Sequence, residues 1–331
     1  MNTHPTTPDD VVTEPMCGSK VPTTVLVIGA GAVGGFYGAA LARAGAQVTT
    51  LHRSDFDHVR QHGIRIDGLE RQEIFHPHRV INRLEELPSP PDFLLVSLKS
   101  LPDPPVAEII RPAVGKRTVI ILLQNGLDIE EPVQQAFPDH EIIAGLAFVC
   151  LQKIAPGHIR HLCHGKITLG RHPSGTSPKV RQLADLFTAA GLPCQITDTP
   201  ARARWIKLVW NAAFNPTSVL AGDLTTEAIL SLPEGERLVR EIMLEVIEVA
   251  AANGHQLPKA LIETHLEATR SIPPYHTSMA LDHLAGRAME IDAILGAAVR
   301  AAHRVERSAP LLEGLLALMK LLEGKKIGKS E

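Results

Sequence analysis

Cysteine is scarce in this chain. The four residues of 331, Cys17, Cys150, Cys163 and Cys194, lie far apart and show no C-x-x-C spacing. Neither a disulfide framework nor a zinc site is therefore expected, and the reducing cytoplasm is the default compartment. No excess of positive charge exists either: 33 Lys and Arg stand against 36 Asp and Glu, a net charge of −3. A polybasic surface for DNA or RNA is excluded on that balance, so no nucleic-acid partner is expected. Sixteen histidines are present, yet none falls in an H-E-x-x-H pair or a comparable ligand spacing, and no metal site is expected. Residues 1–22, rich in Thr, Pro and Asp, lack the basic start and apolar core of a secretory signal and read as a disordered tail. What remains is ordinary for a globular protein, with 44% apolar and 21% charged residues and length enough for two domains.

The most informative stretch is VLVIGAGAVGGFYG, from Val25 to Gly38. A run of apolar β-formers ends in Gly29-x-Gly31-x-x-Gly34, and a helical pattern through Ala39–Ala44 follows at once. Strand, tight turn and helix are the setting in which this spacing binds a dinucleotide. Gly29 serves the turn, Gly31 the approach of backbone to a pyrophosphate, and Gly34 the close packing of helix on strand. The free N–H groups of the new helix then face the phosphates. Two other readings stand beside this one: a purely structural glycine turn, and a membrane span, since residues 24–42 carry no charge and have small-xxx-small spacings. Glycines this dense weaken a free-standing helix, and QVTTLHR beyond it reads as another strand.

That second strand, Gln47–His52, ends where such a fold reads the adenosine ribose. An acid there accepts the 2′-OH of NAD, and a base suits the 2′-phosphate of NADP. Leu51-His52-Arg53 occupies the place, which points to NADP through Arg53; Asp55, two residues on, keeps NAD open, and Arg53 also reads as a plain loop arginine. Residues 56–91 look like an irregular crossover with short strand-like pieces near 73–75 and 79–81. Two continuous apolar runs follow, Phe93–Leu98 and Thr118–Leu123, as suits strands buried on both faces of a parallel sheet. Ligands sit outside the carboxyl ends of such strands, where the first run delivers Ser97-Leu98-Lys99 and the second Gln124-Asn125-Gly126. Lys99 offers charge and Asn125 an amide that donates and accepts, although a surface lysine and a helix-capping asparagine are the plainer readings.

Residues 141–152 and 158–170, separated by Pro156-Gly157, predict an antiparallel extension of the sheet. A helix over 177–190 and a short strand over 194–197 complete it. From Asp198–Pro200 onward the pattern is helical only, so the expected division is a Rossmann-type dinucleotide-binding domain over 23–198 and an all-α domain over 199–331. Long helices are predicted near 201–214, 235–253 and 276–305. In the first, Lys207, Asn211 and Asn215 recur every four residues and share one face, with Pro216 expected to end or kink the helix. Water on that polar face is the simple alternative. In the third, Ser278, Asp282 and Glu290 fall at helical spacing. The apolar surface of these helices offers room for a homodimer contact, and one sequence does not decide between dimer and monomer.

Taken jointly and in this order, these residues resemble the ketopantoate reductase family, within the 6-phosphogluconate-dehydrogenase-like superfamily. The markers are the glycine motif, Leu51-His52-Arg53, Ser97-Leu98-Lys99, Gln124-Asn125-Gly126-Leu127, the run from Trp205 through Lys207 and Asn211 to Asn215-Pro216, and Ser278-Met279 with Asp282 and Glu290-Ile291-Asp292. The resemblance covers about 23–320. It implies a soluble, cytoplasmic enzyme that uses NADPH to reduce 2-dehydropantoate (ketopantoate) to pantoate for pantothenate and coenzyme A synthesis. It further implies that Gly29, Gly31, Gly34, Arg53, Lys99 and Asn125 touch the cofactor. Lys207 and Glu290 would be catalytic, with Glu290 keeping Lys207 charged and aimed, and Lys99, Asn125, Asn211, Asn215 and Ser278 would hold substrate. Reduction of another 2-oxo acid by a related enzyme and a catalytically silent NADP sensor are the competing functions. The chain departs from the family pattern at Tyr275, where an asparagine often stands, and at Arg307-Ser308-Ala309-Pro310, where a Val-Pro-Thr-Pro-like turn is usual.

Overall fold

The computed structural model describes residues 22–69 and 72–327; the tail expected over 1–22 falls outside them except for Pro22. β1 (Thr24–Ile28), α1 (Ala32–Arg43) and β2 (Gln47–Leu51) are the strand, helix and strand around the glycine turn. α2 (Phe56–His62), β3 (Ile64–Asp67), β4 (Gln72–Phe75) and β5 (Arg79–Ile81) fill the irregular stretch. Next come β6 (Phe93–Val96), α3 (Val106–Ile110), β7 (Val119–Leu122) and α4 (Glu130–Ala136). A long hairpin, β8 (Ile142–Ala155) and β9 (His158–Arg171), leads to α5 (Pro178–Ala189) and β10 (Cys194–Ile196).

These strands make one sheet in the order β4-β3-β9-β8-β7-β6-β1-β2-β5, with β10 added on β9. From β8 to β5 all neighbours are parallel, and β9 turns back antiparallel on β8 as the alternation predicts. Every residue of β6 and β7 is buried, because apolar layers cover both sheet faces: α1 and α5 pack on one, α3 and α4 on the other. Ile28, Val96 and Leu122 are in register across β1, β6 and β7. The glycine turn, Lys99 and Asn125 thus leave the sheet at one level, on its carboxyl edge.

At that edge the glycines have geometric reasons. Gly29 has φ +91°, and a Cβ there would stand 2.6 Å from the Leu98 nitrogen. Gly34 lies so close to Ser97 that a Cβ would collide with the Ser97 hydroxyl and come within 2.5 Å of the Gly29 carbonyl, which that hydroxyl already bonds at 2.9 Å. Gly34→Ala is therefore expected to cost about 1–3 kcal/mol through overpacking, and a thermal melt should show a drop of several degrees. An unchanged melting temperature would mean that the turn yields freely. The membrane-span reading of 24–42 ends here, since the segment is a strand and a separate helix, and no helix among the described residues is long and apolar enough to cross a membrane.

Among the described residues only helices follow Ile196: α6 (Pro200–Leu220), α7 (Thr226–Leu230), α8 (Pro233–Ala252), α9 (Leu261–Arg270), α10 (Ser278–Leu284), a π-helical turn (Asp292–Gly296), α11 (Ala297–Arg304) and α12 (Pro310–Ile327). α6 is the axis of this half, with Val209, Ala212 and Ala213 in one core with Val239, Ile242, Met243 and Val246 of α8. Two expectations change. Pro216 does not stop α6, which runs on to Leu220; residues 211–219 are all buried, and that packing outweighs the single lost backbone bond. The helix expected over 276–305 is broken, because Gly286 takes φ +65° just past α10 and frees the chain to reach the nucleotide half before helix resumes.

A third correction concerns cysteine. Cys150 and Cys163 face each other across β8 and β9, with Cα atoms 5.0 Å apart, and are joined as a disulfide. Their 13-residue separation conceals a cross-strand pairing that only the hairpin register reveals, so the cysteines no longer argue for a reducing compartment.

Candidate active site

The broken third helix returns to the sheet's carboxyl edge and meets both strand ends there. Lys99 Nζ, on the loop after β6, lies 2.8 Å from Asp282 Oδ1 of α10 and donates to the Ala288 carbonyl at 2.8 Å. The Ser100 N–H donates to Glu290 Oε1 at 2.9 Å, and Asn125 Nδ2 to Glu290 Oε2 at 3.2 Å. One step on, the Leu127 N–H donates to the Ala293 carbonyl within the π-helical turn, at 3.1 Å. A π-turn often marks a functional position in a helix. Here it follows directly on the carboxylate that receives both strand ends.

Lys207 of α6 faces a narrow cleft lined by Gly126, Leu146, Arg204, Lys207, Leu208 and Asn211. Its ammonium donates to the Ala147 carbonyl of β8 at 2.8 Å and sits 5.7 Å from the Phe148 ring centroid. Burial pushes its pKa down to about 7; the Arg204 charge adds to that depression and Glu290 opposes it. Burial likewise raises the Glu290 carboxyl, against the bonds from Ser100 and Asn125 and the Lys207 charge, with Asp282 adding to the rise. Among the described residues no hydrogen bond joins Lys207 to Glu290. The expectation that Glu290 aims Lys207 therefore changes: the Ala147 carbonyl aims the ammonium, and Glu290 acts on it through its field.

Asn211 lines the same cleft, one turn from Lys207. Asn215 is 1% exposed, and both polar atoms of its amide lack a partner among the described residues. An unpaired buried amide costs about 1–3 kcal/mol, and a bound polar group would relieve it. Ser278 is exposed in the first turn of α10, one turn from Asp282 and the Lys99 ion pair.

At the other end of the site, Gly31 keeps open space where a side chain would stand, and no side chain caps α1. Open space at the start of a helix is the kind of place where phosphate groups bind. Arg53 is exposed at the end of β2. Its neighbour His52 is buried, and burial pushes its pKa down to about 4, so at neutral pH His52 adds no positive charge to that of Arg53, while the nearby Lys153 is paired with Asp55. Asp55 is spoken for: its Oδ2 lies 2.5 Å from Lys153 Nζ and accepts the Gly157 N–H at 3.0 Å. Burial raises the Asp55 carboxyl, but those bonds outweigh it and hold the pKa below the ordinary value.

Comparison with known proteins supplies the family. The model of Ketopantoate reductase PanE/ApbA matches residues 25–174, and that of the Ketopantoate reductase PanE/ApbA C terminal matches 201–323. The chain belongs to the ketopantoate reductase family. Similar relatives include the 2-dehydropantoate 2-reductase of Nostoc sp., 32% identical over 304 residues that span 90% of this chain and 95% of that protein. Among solved structures, 2-dehydropantoate 2-reductase from Methylococcus capsulatus is 46% identical with a TM-score of 0.84, covering 92% of this chain and 97% of that one. The enzyme from Geobacter metallireducens is 34% identical with a TM-score of 0.85, covering 90% and 99%.

In this ketopantoate reductase fold the sequence pattern missed several residues at the site. Arg204, 4% exposed, lies three residues before Lys207 and seven before Asn211, a helical spacing that was there to be read. Ser100 and Ala147 act through backbone atoms, which leave no mark in a side-chain pattern. Tyr275, the departure from the family pattern, packs with Cys150, Cys163, Trp210 and Ile272 beneath the outer part of α6.

Proposed function

We propose that this protein is an NADPH-dependent reductase of a 2-oxo acid, with 2-dehydropantoate as substrate and pantoate as product, serving pantothenate and coenzyme A synthesis. The observation that carries this reading is the gathering of Ser100 and Asn125 on the Glu290 carboxylate at the carboxyl edge of a parallel sheet, with Lys99 held on Asp282 and Lys207 within the field of Glu290. When bound, NADPH supplies the hydride that reduces the C2 ketone. Gly29, Gly31 and Gly34 form its phosphate turn. Arg53 takes the 2′-phosphate, because Asp55 is committed to Lys153 and Gly157 and is not free to accept a ribose hydroxyl.

The remaining chemistry belongs to this chain's residues. Negative charge develops on the ketone oxygen as it becomes an alkoxide, and the Lys207 ammonium stabilises it and gives up a proton. Glu290 keeps the lysine protonated against the cost of burial. Lys99 and Asn125 reach both the cofactor and the substrate carboxylate, while Asn211, Asn215 and Ser278 hold the rest of the substrate. The unpaired Asn215 amide suits a hydroxylated side chain, as ketopantoate has. The domains divide near Asp198–Pro200, the compartment is the cytoplasm, where NADPH is regenerated, and exposed Leu318 and Leu321 on α12 offer a homodimer contact.

A panel of 2-oxo acids assayed with NADPH and with NADH tests this reading. Ketopantoate with NADPH should give the highest kcat/KM. A better acid would replace the substrate, a preference for NADH would remove the Arg53 argument, and tight NADPH binding without any turnover would favour a sensor.

A further inference from the structure

Arg204 is buried between the two halves of the molecule. Its Nε donates to Glu130 Oε1 of α4 at 2.6 Å, and a second nitrogen also meets that carboxylate. Its Nη1 donates to the carbonyls of Gln124 at 3.0 Å and Gly126 at 3.4 Å, and its Nη2 to that of Leu122 at 3.4 Å. The guanidinium therefore holds the end of β7 on both sides of Asn125. It does so from the helix that carries Lys207 one turn later. A planar fork with five donors can satisfy a carboxylate and several carbonyls together, which an ammonium cannot.

We propose that Arg204 is a positioning residue of the reduction: it locks the Asn125 loop against the Lys207 helix and sets its own charge one turn from Lys207. The proposal rests on Lys207 being the proton donor. Asn125 in turn donates to Glu290, so the clamp reaches the carboxylate that opposes Arg204's influence. The charged groups bearing on Lys207 are Arg204 on its own helix and Glu290 from the segment before the π-turn. Asp282 of α10 acts on Glu290, and Glu130 of α4 neutralises part of the Arg204 charge. Strand β8 contributes the Ala147 carbonyl and the Phe148 ring. A like charge one turn away makes the ammonium a better acid, and the pairing with Glu130 allows that charge to remain buried.

Two variants of the full chain separate clamp from charge. Arg204→Lys keeps the charge and the ion pair but loses the fork. Its kcat for the preferred 2-oxo acid should fall roughly 10- to 100-fold, since small misplacements are that costly, with the alkaline limb of the pH profile in place. Arg204→Gln combined with Glu130→Gln leaves no unpaired charge buried. It should lose rate and also move the alkaline limb of kcat to higher pH, because Arg204 holds the Lys207 pKa down and Glu130 is not among the charges that bear on it. An unchanged kcat in Arg204→Lys, or an unmoved limb in the double variant, overturns the proposal. Should the double variant fail to fold, Arg204→Lys still decides. Failure of the Lys207 assignment is read separately, from Lys207→Ala, and leaves a different pattern: full activity without the lysine.

Discussion

Lys207→Ala is expected to fold and to bind NADPH normally while kcat for the 2-oxo acid falls by about 10²- to 10⁴-fold, the usual worth of a positioned general acid. The side chain lies at the cleft rather than in the helical core, and among the described residues its hydrogen-bond partner is the Ala147 carbonyl. Truncation thus removes a proton donor without opening the packing of α6 on α8. The pH dependence has a definite sign. With Lys207 as the proposed proton donor the rate would require the ammonium, whose pKa burial lowers to about 7, so kcat should fall with rising pH from near neutrality. Glu290 holds that pKa up, so Glu290→Gln should move the alkaline limb to lower pH, opposite to the displacement expected when the Arg204 charge is removed. Steady-state kcat measured across pH checks both. Near-wild-type turnover in Lys207→Ala would move the proton donor elsewhere.

Arg53→Ala should weaken NADPH roughly 10- to 100-fold, the range of about 1.5–3 kcal/mol for hydrogen bonds to a charged group, while NADH binding changes little. Arg53 is the cation at the end of β2, because His52 beside it is buried and neutral. Asp55, the acid that an NADH reading would call on, is engaged by Lys153 and Gly157. Fluorescence titration of the two cofactors against both proteins reads the difference. Equal losses for NADPH and NADH would assign Arg53 to the shared part of the cofactor.

The nucleotide half was legible because its signals are local. Three glycines fix a turn, two uninterrupted apolar runs fix buried parallel strands, and the strand ends then place Lys99 and Asn125 without tertiary information. The helical half was legible only as faces. Lys207, Asn211 and Asn215 stood out by spacing, but Pro216 suggested an end that packing overrides, and the 276–305 pattern concealed the break that lets Glu290 reach the sheet. Arg204 was passed over because an arginine near the start of a helix looks solvated until the chain across from it is known to be Glu130 and three carbonyls. The Cys150–Cys163 bond depended on bulges in the β8–β9 register, which no count of residues supplies.

The hydrogen bond from Lys207 to the Ala147 carbonyl bears on which species the site favours. An ammonium that already has a neutral carbonyl partner gains little by exchanging it for the neutral carbonyl of a ketone. Exchanging it for an oxygen that carries developing negative charge gains a good deal more, since hydrogen bonds to ionised groups are roughly twice as strong. In the proposed reduction the Ala147 carbonyl would thereby be a stand-in that the ground state barely outcompetes and the transition state displaces. Such an arrangement spends little affinity on bound substrate and reserves the lysine's contribution for the rate.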